Sequence, residues 1–406
     1  MLGIAFDLGT TTLVGYLCDI DKGIIINSVS LSNPQIEYGM DVLSRVSFGS
    51  ESEENKKELT KILGNAAEEL ADSLVLEAYE NIKTDSIGRI VLVGNPVIMG
   101  TIASYSFSSE LLRSAEVIRI PSIGGYVGAD ALAATYMVYL GMKQKQRSEE
   151  SKACFMVDIG TNTEIALLSS NGIFVTSAAA GPAFEGGNIS CGMRGEPGAI
   201  DRFSISSPGN SNADILFHVI DGAYSPKGIC GSGIFSLIRV LLSAGVINRD
   251  GYLYTREEAI ANHVPLRIAS RIKDRGFWIT EDIYFNQEDV RSVQLAVSAI
   301  RTGMDILVKK AGLTNEVIGQ IYFAGAFGNK IDSKDIVASG MIDYIFKDKI
   351  SQVGNIAGLG AVQVLLDSSR MTEVNMIKDT AVSIALANES EFQELFVRNM
   401  SFPKSE

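Results

Sequence analysis

Two short stretches of the chain place an aspartate, a glycine and hydroxyl-bearing residues in the same order. The first reads Asp7-Leu8-Gly9-Thr10-Thr11-Thr12, and the second reads Asp158-Ile159-Gly160-Thr161-Asn162-Thr163. An apolar run precedes each aspartate and another follows each turn, so both copies predict a strand, a tight turn and a second strand. Because the pattern occurs once in each half of the chain, it predicts two related lobes that share a site.

The chemistry of the two turns suits a polyphosphate. Glycine lets the backbone approach a ligand closely, while successive amides and hydroxyls donate hydrogen bonds. Asp7 and Asp158 would repel phosphate, and we expect them to hold a hydrated Mg²⁺ through its water shell. One such turn could equally be an ordinary hairpin, but two copies with matched flanks favour a nucleotide site. A Walker-type loop is excluded, since no Gly-x-x-x-x-Gly-Lys-Ser/Thr occurs.

Composition narrows the class of protein. The 406 residues are 46% hydrophobic and 20% charged, which is typical of a well-packed protein with more than one core. A formal charge of −13 argues against a nucleic-acid partner or an anionic membrane surface. No apolar run reaches the ~18 residues of a membrane span, and the N-terminus lacks the pattern of a signal peptide. We therefore expect a cytoplasmic protein.

The sequence contains no cysteine or histidine pattern that is typical of a redox-active metal site. Cys18, Cys154, Cys191 and Cys230 are far apart, without a Cys-x-x-Cys pair, so we expect buried or half-buried thiols and no iron–sulfur cluster in this chain. The two histidines, His218 and His263, are too few for a histidine-rich metal centre.

Interleaved strand and helix patterns predict an α/β fold with mixed sheets flanked by helices. Helical spacing of apolar residues marks 58–79 and, most clearly, 289–311, with Gly312 as a C-terminal stop. The polar run at 143–152 is the best candidate for a linker. The predicted domains are a first lobe at 1–146, a second lobe at 152–366, and a C-terminal segment at 367–406 that packs back on the lobes.

With a third motif, the two turns resemble the actin-like ATPase superfamily. This motif is the run Phe323-Ala324-Gly325-Ala326-Phe327-Gly328, which is similar to the adenosine-binding turn of those proteins. The resemblance covers nearly the whole chain. It implies two ribonuclease-H-like lobes with ATP in a cleft between them, and it assigns Gly325, Ala326, Phe327 and Gly328 to the nucleotide.

Asp130 has two interpretations. Its segment, Gly128-Ala129-Asp130-Ala131, resembles the part of carbohydrate kinases whose aspartate is the catalytic base. A carboxylate near the γ-phosphate would deprotonate an acceptor hydroxyl or orient a water. A helix N-cap before Ala131 explains the same residue equally well.

A narrower set of segments resembles the C-terminal ATPase domain of the reductive activators of corrinoid proteins. The set comprises residues 158–164, 180–186, 192–194, 198–200, 228–233, 289–296 and 391–396. This resemblance implies ATP-driven reduction of a Co(II) corrinoid to Co(I) in a methyltransferase system, with a corrinoid protein as partner. It also implies that Gly231, Ser232 and Gly233 contact the nucleotide.

One departure from that family concerns the electron. Its members usually carry an iron–sulfur module before the ATPase part, whereas this sequence starts at the first hairpin. We expect either a truncated chain or a separate iron–sulfur donor, and the sequence leaves a homodimer open.

A small-molecule kinase that uses Asp130 as base is the second hypothesis, although residues 177–198 are short of the polar side chains that a sugar requires. A non-enzymatic actin-like scaffold is the third.

Overall fold

The computed structural model of the protein describes residues 1–39, 41–78, 87–124, 127–145, 153–222, 225–325 and 331–403. Most of the predicted linker lies outside the described residues. Three residues of the predicted adenosine turn, Ala326, Phe327 and Gly328, also lie outside them.

Strands and helices interleave along the chain, as the sequence predicts. The strands are β1 (Leu2–Leu8), β2 (Thr12–Asp19), β3 (Ile24–Ser32), β4 (Ile87–Gly94), β5 (Glu116–Arg119), β6 (Ala153–Asp158), β7 (Thr163–Ser169), β8 (Gly172–Ala178), β9 (Ala199–Ile205), β10 (Ile215–Val219), β11 (Gly228–Ile229), β12 (Ile272–Lys273), β13 (Gly276–Trp278), β14 (Tyr284–Asn286), β15 (Ile318–Ala324), β16 (Ile350–Gly354) and β17 (Val382–Ser383). The helices are α1 (Val42–Glu51), α2 (Glu53–Ala78), α3 (Pro96–Ile102), α4 (Ala129–Lys145), α5 (Gly231–Ser243), α6 (Arg256–Ala261), α7 (Leu266–Ala269), α8 (Gln287–Lys310), α9 (Ser333–Ala338), α10 (Ile356–Leu366), α11 (Met371–Thr380) and α12 (Phe392–Asn399).

The first compact unit comprises Met1–Ser151, Leu168–Val175 and Asn355–Ile384. Its five-stranded sheet has the order β3-β2-β1-β4-β5, with β1 antiparallel to β2 and parallel to β4. Side chains alternate along β1, so its two faces serve two cores. Ile4, Phe6 and Leu8 join a cluster with α2, whereas Ala5 joins a cluster with α4, α10 and α11.

The second compact unit comprises Lys152–Leu167, Thr176–Gly354 and Ala385–Glu406. The second predicted hairpin, β6–β7, belongs to a sheet of order β16-β15-β6-β7-β8-β17, of which β16, β15, β6 and the start of β7 lie in this unit. β15 runs parallel to β6, with Ala324 opposite Asp158. Two three-stranded sheets, β10-β9-β11 and β12-β13-β14, also lie in this unit.

Helix α8 confirms the clearest helix prediction and explains its ends. It begins two residues before the predicted start because Asn286 and Asp289 form a capping box there. It ends at Lys310, and the following Gly312 adopts a φ of +65°, which favours glycine at a helix stop.

No pattern in the sequence predicts helix α1. Its apolar residues are few, and two of them stay outside the core, since Leu43 is 80% exposed and Val46 is 42% exposed. Helix α2 also begins earlier than predicted, at Glu53, because its polar first turn carries no apolar periodicity.

The predicted domain limits differ from the two compact units. Helix α10 was assigned to the second lobe, but its small and apolar side chains pack in the same core as β1 and α4. The predicted C-terminal segment is divided, with residues up to Ile384 in the first unit and the remainder in the second. Among the described helices, none is both long and apolar enough to cross a membrane.

The last residues of the second unit pack on α8. The Gln294 side chain donates to the carbonyl of Met400 at 2.7 Å, and the Ser298 hydroxyl donates to the carbonyl of Phe396. Phe402 is 1% exposed, and its backbone amide donates to the Arg249 carbonyl at 2.8 Å. The C-terminus therefore contributes core as well as surface.

Truncation of that buried ring is expected to destabilise the second unit. Phe402→Ala should lower its free energy of unfolding by about 3–5 kcal/mol, because it removes a fully buried aromatic side chain and leaves a cavity. Val397→Ala on α12 is the control, since Val397 is 68% exposed and should change stability by less than about 0.5 kcal/mol. Urea unfolding followed by circular dichroism measures both variants. Equal stability of the two would contradict the assigned packing.

Candidate functional site

The turn between β1 and β2 is closed by its own backbone and held by two asparagines. The Gly9 amide donates to the Thr12 carbonyl at 3.1 Å, and a Cβ on Gly9 would lie 2.5 Å from that oxygen, so only glycine fits. Asn33 donates to the Gly9 carbonyl at 2.9 Å, and Asn95 donates to the Thr10 hydroxyl at 2.9 Å. The predicted strand–turn–strand is confirmed, and its threonines lie on a braced turn.

Asp7 lies at the end of β1, on the face that packs against α4 and α10. Alternation from Ala5 directs its carboxylate toward the first turns of those helices. Asn355, the N-cap residue of α10, donates its side-chain amide to Asp7 Oδ2 at 2.7 Å. Burial and the charge of Asp130 raise the pKa of Asp7 to about 7, and the Asn355 hydrogen bond offsets part of that rise. The predicted carboxylate is thus part of a cluster with two residues distant in sequence.

Asp130 lies inside the first turn of α4, which begins two residues earlier than an N-cap role at Asp130 requires. Its Oδ1 accepts a hydrogen bond from the Ala131 amide at 2.8 Å. Burial raises the pKa of Asp130 to about 6, although the Ala131 amide counteracts this rise. Asp130 therefore accepts a hydrogen bond at the start of the helix, and the pKa of its carboxyl is close to neutral pH. Both interpretations of Asp130 stay open.

The turn between β6 and β7 is the second predicted phosphate loop. The hydroxyl of Thr163 is buried and donates to the Gly160 carbonyl at 3.2 Å, so it stabilises the turn. Gly325 follows β15 with a φ of +87°, and a Cβ there would lie 2.7 Å from Asp158 Oδ1. A glycine is required at this position because the chain passes so close to that carboxylate. Asp158 of the predicted second hairpin and Gly325 of the predicted adenosine turn are thus adjacent.

Glu185 contacts the second predicted phosphate loop, although no local pattern in the sequence points to it. It ends a 3-10 helix, Pro182–Glu185, and its Oε1 accepts a hydrogen bond from the Thr161 amide at 2.8 Å. Burial raises the pKa of Glu185, while the bond from Thr161 and the charge of Arg194 act in the opposite direction. A carboxylate therefore lies on an amide of the second phosphate loop. Its position 24 residues from Thr161 explains why local spacing could not reveal it.

The same 3-10 helix reaches the N-terminus of α5. Phe184 stacks on Phe235 of α5 with ring centroids 4.3 Å apart. Gly231, Ser232 and Gly233 form the first turn of this helix, are buried, and follow an N-cap residue, Cys230, whose side chain caps no amide. The predicted nucleotide residues of α5 are therefore tied to the Thr161 loop through Phe184 and Glu185.

Among the described residues, no cluster of three or more His, Cys, Asp or Glu side chains forms a metal site. Asp7 offers a single carboxylate, with one oxygen bonded to Asn355, which fits a hydrated ion held through water better than direct chelation. The four cysteines match the prediction of buried or half-buried thiols: Cys18, Cys154 and Cys230 are buried, and Cys191 is half-buried.

Charge neutralisation at Asp7 should stabilise the protein without metal or nucleotide. With a raised pKa, native Asp7 binds more protons than the unfolded chain between pH 3.8 and about 7, so its contribution to stability is lost as pH rises. Asp7→Asn should raise the unfolding free energy by roughly 2 kcal/mol near pH ~8, and the gain should fade toward pH ~4.

The matched control for that measurement is Glu77→Gln, since Glu77 is an exposed carboxylate of the same unit. Urea unfolding at the two pH values compares the three proteins. A loss of stability in Asp7→Asn near pH ~8 would contradict the assigned environment of Asp7.

Comparison with known proteins gives matches along the chain. The family described as the C-terminal domain of RACo, the ASKHA domain, matches residues 152–406, and the RACo middle region matches residues 2–113. The corrinoid activation enzyme RamQ of Eubacterium limosum is 33% identical over 98% of this chain and 70% of its own length. The [Co(II) methylated amine-specific corrinoid protein] reductase of Methanosarcina barkeri is 25% identical over 99% of this chain and 77% of its own.

A solved structure agrees with these sequence matches. The reductive activator for corrinoid,iron-sulfur protein superimposes with a TM-score of 0.79 and 27% identity, covering 100% of this chain and 67% of that one. Its fold confirms the predicted actin-like architecture, for which ASKHA is the family term. The chain belongs to the RACo family of reductive activators of corrinoid proteins.

Proposed function

We propose that this protein binds and hydrolyses ATP and couples this reaction to reduction of a Co(II) corrinoid to Co(I) in a protein of a methyltransferase system. The observation that carries the proposal is the pair of braced Asp-x-Gly-Thr hairpins in a chain of this family. The relatives named for corrinoid activation and corrinoid-protein reduction support the choice of partner.

ATP is proposed to bind through backbone amides and hydroxyls of both hairpins. Glycine and threonine supply the donors, and the N-terminus of α5 adds amides that no side chain caps. The proposed phosphate and adenosine contacts are Gly9, Thr10, Thr11, Thr12, Gly160, Thr161, Asn162, Thr163, Gly231, Ser232, Gly233, Gly325, Ala326, Phe327 and Gly328. Mg²⁺ would be held through water by Asp7 and Asp158, and it would neutralise charge on the transferred phosphoryl group.

Hydrolysis requires a group that orients water, and Asp130 is proposed for it. Its pKa of about 6 lets the carboxylate accept a hydrogen bond from water at neutral pH.

The proposed coupling between ATP and the corrinoid protein is reciprocal. If ATP binding increases the affinity for the corrinoid protein, then the corrinoid protein increases the affinity for ATP by the same factor. An iron–sulfur domain or protein is the proposed electron donor. We place the reaction in the cytoplasm, and a homodimer is a compatible assembly.

The test is ATP turnover with and without a Co(II) corrinoid protein, followed in parallel by the absorbance of Co(I) under a chemical reductant. We expect the partner to stimulate turnover, and Asp130→Asn to lower kcat about 100-fold. Asparagine keeps an oxygen for the Ala131 amide, so helix stability should be retained. Unchanged kcat would assign Asp130 to the helix end alone. No stimulation, together with phosphate transfer to a small hydroxyl compound, would replace the proposal with a kinase.

Glu185 is proposed to leave the Thr161 amide when a phosphate takes that hydrogen bond. Glu185→Gln should therefore bind ADP about three- to tenfold more tightly, because a like charge next to the phosphate is removed. The control is Glu196→Gln, an exposed carboxylate of the same segment. Calorimetry with Mg²⁺ and ADP measures both, and weaker binding by Glu185→Gln would show that the carboxylate assists the nucleotide.

A further inference from the structure

Asn95 connects the first phosphate loop to the start of helix α3. It is half-buried and lies directly after β4 and directly before Pro96. Its Oδ1 accepts hydrogen bonds from the amides of Val97 and Ile98, both at 3.0 Å, so Asn95 is the N-cap of α3. Its Nδ2 donates to the Thr10 hydroxyl at 2.9 Å. One side chain therefore holds both a helix end and a hydroxyl group 85 residues earlier in the chain.

The helix cap determines which end of the Asn95 amide faces Thr10. Backbone amides of the helix only donate, so the side-chain atom that faces them must be the oxygen. The atom on the Thr10 side is then the NH₂ group, which donates and cannot accept. A reversed amide would lose both hydrogen bonds of the cap. The helix therefore sets the direction of the hydrogen bond between Asn95 and Thr10.

The Thr10 hydroxyl consequently keeps its own hydrogen for another acceptor. A hydroxyl has one hydrogen to donate and two lone pairs to accept with. Asn95 occupies a lone pair of Thr10 Oγ1, and the hydrogen is donated to none of the described residues. The hydrogen bonds of Asp7 and Asp130, the carboxylates nearest in the same unit's site, come from an asparagine side chain at 2.7 Å and a backbone amide at 2.8 Å. The half-buried Thr10 thus has a hydrogen available to a ligand.

Two backbone amides of the same turn are also available. The amides of Thr10 and Thr11 donate to no described residue. Consecutive amides without partners suit an anion, and a hydroxyl that donates beside them adds a further hydrogen bond. A phosphate oxygen, which only accepts, matches this set of donors. A hydroxyl turned the other way would present its lone pairs to the same oxygen and would repel it.

We propose that Asn95 is a positioning residue for the nucleotide. By donating to Thr10 Oγ1, it directs the hydrogen of the Thr10 hydroxyl to a phosphate oxygen of the bound nucleotide. This role rests on the proposed binding of ATP at the first hairpin, and it extends that site to a residue outside the two repeated turns. Asn95 acts through Thr10 and does not itself contact the phosphate. Its substitution should therefore change what the Thr10 hydroxyl contributes to binding.

The experiment is a double-mutant cycle, measured by calorimetric titration of the full chain with Mg²⁺ and AMPPNP, a non-hydrolysable analogue of ATP. Thr10→Val keeps the branched shape and should lower the affinity of the parent at least about tenfold, because a charge-assisted hydrogen bond is lost. Asn95→Asp keeps an oxygen for the cap of α3 but places a second oxygen at Thr10, so the hydroxyl hydrogen turns to the carboxylate. In the Asn95→Asp chain, Thr10→Val should raise the affinity about two- to fivefold, because it removes lone pairs that face the phosphate.

The change of sign separates positioning of the hydroxyl from support of the turn. If Asn95 only supports the turn, Thr10→Val lowers the affinity of the Asn95→Asp chain or leaves it unchanged, and either result overturns the proposal. Asn248→Asp is the control for the added charge. Asn248 Oδ1 also accepts from two backbone amides, at 3.0 and 2.9 Å, but it lies in the second unit. Its substitution should leave the AMPPNP affinity within about twofold of the parent.

Melting temperatures without nucleotide test whether each variant folds. Asn95→Asp should fold, since aspartate caps a helix as well as asparagine does. If it does not fold, Asn95→Ser keeps a cap but has no group that reaches Thr10. In that chain Thr10→Val should lower the affinity less than about threefold, and a loss equal to that in the parent overturns the proposal. A folded parent that binds no AMPPNP overturns the proposed function and the role of Asn95 with it, whereas binding by the parent without the change of sign overturns the role of Asn95 alone.

Discussion

Burial of β1 on both faces is the constraint on which the first unit depends. A strand packed on both sides must direct alternate residues into two different cores, and the polar residue near its end has to follow the same alternation. Phe6 enters the core against α2, so Asp7 is directed to the opposite side, where the first turns of α4 and α10 lie. The position of the carboxylate thus follows from packing of the residue before it, and the raised pKa of Asp7 follows from that position.

The turn of the second hairpin, between β6 and β7, is stabilised by different residues. This turn is stabilised by a buried hydroxyl, and one of its amides is occupied by the carboxylate of Glu185. The Thr161 amide is thereby hydrogen-bonded by a negative group of the protein itself. The hydrogen bond that Glu185 accepts is of the kind that a phosphate oxygen also accepts.

The two hairpins, the α/β class and helix α8 could be predicted because each is encoded within a few neighbouring residues. The glycine of each turn, the flanking apolar strands and the apolar stripe of α8 are all local patterns. Asn355 contacts Asp7 across 348 residues, and Asn95 contacts Thr10 across 85, so no spacing rule reveals either partner. Helix α1 was missed because much of its apolar surface faces a cavity or water, and its buried Arg45 breaks the apolar pattern. The domain limits differed for a similar reason, since α10 packs with strands that precede it by more than 250 residues.

The discontinuity of the first unit has a consequence for how the chain is made. Ala361, Leu365 and Ile377 are buried in the same cluster as Ala5 and Val91, yet the ribosome adds them long after β1 and β4 have emerged. At about 5–20 residues per second, the interval lasts tens of seconds. During synthesis, one face of the first sheet is therefore covered by α4 alone until α10 and α11 have been added. The rest of that apolar face is therefore exposed to water and to other chains in the nascent chain, and not in the folded protein.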